Sequence, residues 1–215
     1  MSDAFGADEA GKGPVFGSMF AAAVAVEDPA ALPEDVDDSK RLSPERRETL
    51  AERLREDDRV AVGVAEIPPE RIDAPETDMN ALTVAAQAEA LSAVVADGMR
   101  GVVDAGDTSE ARFARRVADR VDADVDLRAE HGADETHAIV GAASVVAKVE
   151  RDAQMARYAE EFGAVGSGYP SDPTTRTFLK EWVDERGEVP PFARETWATC
   201  EDVLAAAEQS GLGDF

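Results

Sequence analysis

Residues 19–26 read Met-Phe-Ala-Ala-Ala-Val-Ala-Val, the longest apolar run in a chain of 215 residues. The run is far short of the roughly 20 residues a membrane span needs, so it belongs inside a folded core as a strand. The strand reading extends back over Val15 to Val26. A shorter strand, Phe5 to Asp8, precedes it, and the glycine turn Gly11-Lys12-Gly13-Pro14 between the two suggests a hairpin.

Beyond the hairpin the pattern alternates. Ser43-Pro44 opens a helix to about Glu56, and Val60 to Glu66 reads as a third strand. Asp78 caps an Ala-rich helix expected to end at Gly98. Gly101 to Asp104 is a buried strand ending in a carboxylate, followed by a helix from Ser109 to Val121 and a strand from Asp126 to Glu130. A long helix within His137–Phe162 stops at Gly163, another runs from Asp172-Pro173 to Gly187, and a last one from Thr196 to Gln209. Strands alternating with helices indicate an α/β domain, and no internal repeat or low-complexity linker interrupts it.

The formal net charge is −24, with a sequence pI of about 4.3, which ordinarily argues against a nucleic-acid ligand. A hydrophobic share of 44% with long periodic segments excludes disorder, so the acid lies on the surface. Among 22 basic residues the only lysines are Lys12, Lys40, Lys148 and Lys180. Thin in lysine, coated in acid and rich in Ala and Val, the composition is that of a protein folding in concentrated salt, in the manner of extreme halophiles. At about 1 M salt the Debye length is near 3 Å, so repulsion of a polyanion is largely screened and DNA or RNA stays admissible. The start lacks a basic leader segment, and a single cysteine, Cys200, excludes an internal disulfide; a cytoplasmic, soluble monomer is expected.

Asp-Glu pairs recur at Asp134-Glu135 and Asp184-Glu185, but Asp8-Glu9 ends an apolar strand and meets a glycine turn, where a solubilising acid is poorly placed. Asp104 likewise ends an apolar strand. Carboxylates converging at neighbouring strand ends repel each other and make sense chiefly when divalent cations neutralise them. Gly6 to Gly13 comes within one residue of the phosphate loop G-x-x-x-x-G-K-[ST]. Gly13 removes the magnesium-binding hydroxyl, however, and Pro14 removes a backbone donor. The dinucleotide spacing G-x-G-x-x-G is also missed, and His131, Asp134 and His137 lack the H-E-x-x-H zinc pattern.

The blocks Gly6-Ala7-Asp8-Glu9-Ala10-Gly11-Lys12-Gly13-Pro14-Val15, Asp38-Ser39-Lys40, Asp104, Ala133-Asp134, Ala142 to Asp152 and Gly166 to Pro173 together resemble type 2 ribonuclease H, in order over about residues 5–200. The resemblance implies a ribonuclease H-like α/β fold, a mixed central sheet flanked by helices, with a C-terminal helical part. Residues 1–165 would form the catalytic domain, 166–208 the helical part and 209–215 a tail. It implies metal-binding carboxylates at Asp8, Glu9, Asp104 and Asp134, holding two divalent ions, Mg2+ or Mn2+. The implied substrates are RNA·DNA hybrids and duplex DNA with embedded ribonucleotides, cut to 5′-phosphate and 3′-hydroxyl ends.

In similar proteins a Gly-Arg-Gly turn approaches the ribose while a tyrosine packs on the sugar; the matching residues are Gly11, Lys12, Gly13 and Tyr169. Lys12 departs from the family arginine and loses its planar fork. Lys40 and Lys148 are expected to contact phosphate, with Ser39, Asn80 and Ser144 as neighbours. A non-catalytic nucleic-acid or nucleotide binder is the alternative, and four carboxylates in matching positions speak against it. The tail Gln209-Ser210-Gly211-Leu212-Gly213-Asp214-Phe215 fits Q-x-x-h-x-x-a and resembles the peptide by which replication enzymes bind the sliding clamp. Gln209, Leu212 and Phe215 would be its anchors, with Gly211 and Gly213 breaking the preceding helix.

Overall fold

A computed structural model describes residues 4–33, 36 and 42–212. The strands are β1 (Ala4–Ala10), β2 (Met19–Val26), β3 (Val60–Ile67), β4 (Arg100–Asp104) and β5 (Asp126–Glu130). The helices are α1 (Pro44–Glu56), α2 (Pro69–Ile72), α3 (Met79–Ser92), α4 (Glu110–Ala118), α5 (Ala133–Thr136), α6 (Ala138–Phe162), α7 (Pro173–Arg186) and α8 (Ala198–Leu212). The chain divides into two compact units. One comprises the segments ending at Ala10, Met19–Ile67 and Asp78–Glu150; the other comprises Gly11–Ser18, Pro68–Thr77 and the chain from Arg151 onward.

The first unit carries a five-stranded sheet in the order β3-β2-β1-β4-β5. β1 and β2 pair antiparallel, as do β2 and β3, whereas β1–β4 and β4–β5 are parallel. The sheet is therefore mixed, as expected for an α/β fold of this kind. β2 is buried along its whole length, while β3 at the edge alternates buried and exposed positions. Small side chains fill one face of the core: Ala22, Val24, Ala142, Ala143 and Val146 pack together with Leu50 and Leu54 of α1. A methyl group on Gly6 would fall 2.9 Å from the backbone of Ile139 and Val140, so the glycine lets the start of α6 lie directly on β1.

The second unit is aromatic. Phe16, Leu179, Val183 and Phe192 form its core with Tyr158, Phe162 and Phe178 packed against them. The Tyr158 and Phe192 rings stack with centroids 4.3 Å apart, and Phe16 meets Phe192 edge-on at 5.2 Å. No helix among the described residues is long and apolar enough to cross a membrane.

Several boundaries differ from the sequence reading: β1 runs on to Ala10 past Asp8, and α4 stops at Ala118 short of Val121. Val15 to Ser18 is not part of β2: Gly17 takes a left-handed φ of 80°, and Phe16 makes an isolated bridge to Ala193 within the second unit. α3 ends at Ser92, not Gly98: the Val94 and Val95 amides both donate to the Leu91 carbonyl, at 2.9 and 3.0 Å, closing the helix in a turn. α8 runs through Gly211 to Leu212, where a break was expected.

Candidate active site

Parallel pairing sets Ala7 of β1 beside Val103 of β4, so the next residues are Asp8, inside β1 two residues before its end, and Asp104, the last residue of β4. Asp8 is 6% exposed. Burial, and after it the charges of Glu9 and Asp104, push its carboxyl from 3.8 up to about 8, against an opposing hydrogen bond from the Ser144 hydroxyl. Ser144 accepts in turn from Lys148 Nζ at 2.8 Å. Lys148 thus reaches the acid cluster through a hydroxyl, one helical turn along α6 from it.

Glu9 and Asp104 are bound by protein donors. Gln87 Nε2 donates to Glu9 Oε2 at 2.6 Å and to the Asp104 carbonyl at 3.0 Å, while Asp104 Oδ1 accepts from the Ala133 amide at 2.8 Å. That last bond ties the β4 carboxylate to the residue next to Asp134, in the first turn of α5. Gly132, left-handed at φ 66°, reverses the chain between β5 and α5. Gly141 faces the Asp134 carbonyl, which a methyl group there would meet at 3.2 Å. Asp8, Glu9 and Asp104 interact directly, and Asp134 is joined to them through its neighbour. Asn80 is exposed in the first turn of α3.

No three His, Cys, Asp or Glu side chains among the described residues are gathered into a cage. Like-charged carboxylates have instead taken amide donors. The donor set is nonetheless all oxygen, suited to a hard divalent cation and not to zinc. A cation would relieve the repulsion and desolvation that hold Asp8 high. Gln87 Oε1 is buried without a partner among the described residues, so the amide is committed through its nitrogen to Glu9 and Asp104. His131 and His137 do not join the cluster: His137 Nε2 pairs with Glu130 at 2.8 Å and the His131 amide donates to Glu110.

Gln87 went unread in the sequence. It is a wholly buried amide on the Ala-rich helix α3 whose partners lie 78 and 17 residues away in sequence, so no local pattern marks it.

In the second unit, Gly11 has φ 91°, and a methyl group on it would fall 2.8 Å from the Ser18 carbonyl. One on Gly13 would lie 3.7 Å from Tyr169 Cε1, so the turn and the tyrosine are neighbours. The Tyr169 ring is 38% exposed and lies under the Arg151 guanidinium at 4.7 Å. Arg151 Nη2 also donates to the Ser167 carbonyl at 2.5 Å. Ser39, Lys40 and Phe215 lie outside the described residues; Gln209 is exposed on α8.

The family model for ribonuclease HII matches residues 5–200. Ribonuclease HII of Haloarcula marismortui, from a halophilic archaeon, is 68% identical over 211 residues, covering 98% of this chain and 99% of that protein. The crystal structure of ribonuclease H2 from Pyrococcus horikoshii OT3 superposes with a TM-score of 0.90 at 33% identity, covering 96% of this chain and 99% of that one. The structure of the PCNA:RNase HII complex from Archaeoglobus fulgidus matches at a TM-score of 0.83 and 38% identity, over 93% and 96% of the two chains.

Proposed function

The chain belongs to the ribonuclease HII family, hydrolases that cut RNA in RNA·DNA hybrids, and from that premise we propose that it also cuts duplex DNA at single embedded ribonucleotides. The observation that carries the chemistry is the meeting of Asp8 and Glu9, near the end of β1, with Asp104 at the end of β4, Asp8 being buried among like charges. Asp8, Glu9, Asp104 and Asp134 would hold two divalent ions, magnesium or manganese. When bound, such ions supply an activated water and neutralise charge on the attacking and leaving oxygens. Water adds to phosphorus, the 3′ oxygen leaves, and the ends are 5′-phosphate and 3′-hydroxyl.

The protein's own part is to orient. Gln87 fixes the Glu9 carboxylate against Asp104, Ser144 donates to Asp8, and Lys148 brings a positive charge for phosphate contact through the same hydroxyl. Telling RNA from DNA at one nucleotide means reading the 2′-hydroxyl. That role falls to the backbone of Gly11-Lys12-Gly13, with Tyr169 against the sugar; the half-exposed ring beside Gly13 supports the assignment. Asn80 and the Ser39-Lys40 pair are further candidate substrate contacts.

The residues Gln209, Leu212 and Phe215 are proposed to bind a sliding clamp, a reading supported by the PCNA complex of the Archaeoglobus fulgidus relative. α8 extends to Leu212, so a 3₁₀ turn there would require its last turn to unwind on binding. Removing residues 209–215 should abolish clamp binding in a calorimetric titration and leave cleavage of free duplex intact; undiminished binding would reject the tail as anchor.

The test of the activity is an end-labelled duplex carrying one ribonucleotide, incubated with Mg2+ in molar KCl. A single cut at the ribonucleotide is expected. Cutting of long hybrids alone would confine the enzyme to continuous RNA strands paired with DNA.

A further inference from the structure

Arg194 has no exposed surface, and every nitrogen of its guanidinium donates to the same loop. Nε reaches the Gly17 carbonyl at 2.9 Å, Nη1 the Lys12 carbonyl at 3.0 Å and Nη2 the Gly11 carbonyl at 2.6 Å. Both ends of the loop are left-handed glycines, Gly11 at φ 91° and Gly17 at φ 80°, so three carbonyls from two chain reversals converge on one planar cation. We propose that Arg194 is the positioning residue that sets the Gly11-Lys12-Gly13 turn in its ribose-reading conformation.

The physical step is peptide planarity. No peptide bond among the described residues is cis, and in a trans peptide the N–H points opposite to the preceding C=O. With the Gly11 and Lys12 carbonyls drawn to Arg194, the following amides, those of Lys12 and Gly13, are directed to the other side of the turn. Two consecutive N–H groups aimed the same way form a donor face of the kind that accepts a hydroxyl oxygen or an anion. A glycine turn without the brace could present carbonyls there instead. Burial, and after it the neighbouring Arg151 charge, lower the Arg194 guanidinium to about 10 against the opposing pull of Asp73 and Tyr169, and at that value the brace is charged at neutral pH.

The surrounding bonds hold the arginine itself. Its amide donates to the Val15 carbonyl at 2.8 Å, and its guanidinium lies 5.0 Å from the Trp197 ring centre. Asp73 accepts from the amides of Glu195 and Thr196 at 2.7 and 3.2 Å, which fixes the backbone just after it. The other end of the loop is pinned separately: Ser18 N donates to Gln154 Oε1 at 2.8 Å. Lysine in place of Arg194 would keep the charge but offer a single ammonium instead of a three-pronged fork.

The inference rests on the turn reading the ribose, and its test separates the two. In an Asp104→Asn background, chosen to prevent cleavage, fluorescence anisotropy in molar KCl measures affinity for a duplex with one ribonucleotide and for the identical all-DNA duplex. The background protein should prefer the ribonucleotide by about tenfold, the worth of one well-made hydrogen bond. Adding Arg194→Lys or Arg194→Gln should bring that ratio near one while the all-DNA affinity stays within about twofold. Millimolar guanidinium should restore part of the ratio in an Arg194→Ala variant. No preference in the background protein means that the turn does not read the ribose, whatever Arg194 does. A folded Arg194 variant that keeps the full ratio overturns the positioning role. Loss of the folded state in all three variants, unrestored by guanidinium, assigns Arg194 to folding alone and overturns it equally.

Discussion

The two units bury charge in opposite ways. In the first, Asp8 sits among an Ala/Val core beside Glu9 and Asp104, and burial with like charge holds its carboxyl near 8. In the second, Arg194 is fully buried with its guanidinium over the Trp197 ring and keeps its charge, because three carbonyl oxygens solvate it. A buried ion surrounded by opposing dipoles is complete within the protein. One surrounded by its own sign is complete only with something brought from outside. The first arrangement is what a metal-dependent reaction centre requires, and the second is what a rigid recognition loop requires.

The largest expected effect comes from removing one charge of the cluster. Asp104→Asn retains an acceptor for the Ala133 amide, so the fold should persist with a melting temperature within a few degrees of the parent. Cleavage should fall by at least ~10²-fold, since metal-borne charge stabilisation is worth several kcal/mol. Single-turnover assays with circular dichroism melts check both halves. Near-normal turnover would dissolve the contrast between the units.

A smaller loss is expected one layer out. Gln87→Leu preserves volume but leaves Glu9 and the Asp104 carbonyl without their amide donor. Activity should drop by about 10–100-fold, the usual cost of removing a group that orients a metal ligand. Extra Mg2+ should recover part of it. An unchanged rate at limiting Mg2+ would make Gln87 a packing residue only.

The smallest effect tests the loop around Tyr169. Asp172 caps α7, accepting from the Thr174 amide at 2.9 Å and from the Ser167 amide at 2.6 Å, and these bonds lower its carboxyl from 3.8 to about 2. A depressed folded value means that the stabilisation is fully present above about pH 4 and disappears as pH falls through 2. The melting-temperature gap between wild type and Asp172→Asn should therefore be widest above pH 4 and close toward pH 2. A gap that does not change with pH would remove the carboxylate from the capping role.

Much of the fold was legible in the sequence because local chemistry encodes it. Ser43, Asp78, Ser109 and Asp172 each cap the helix that their sequence context announced, and Gly163 and Gly187 take the left-handed turns that end α6 and α7. The meeting of Asp8, Glu9 and Asp104 was legible because acids on apolar strands are costly to bury unless a cation or a set of donors meets them. Val15 to Ser18 misled, since apolar residues packed in an aromatic cluster read the same as apolar residues in a strand. Gln87 and Arg194 depend on partners far away in sequence, 78 residues in one bond and 183 in another, so no local pattern marks them.

The most direct test of the contrast is a calorimetric titration of Mn2+ into the wild-type protein and into Asp104→Asn, both metal-free and in the same molar KCl. Saturable binding by the wild type, weakened at least ~10-fold in the variant, is the result the carboxylate cluster predicts. Superimposable isotherms for the two proteins would contradict it.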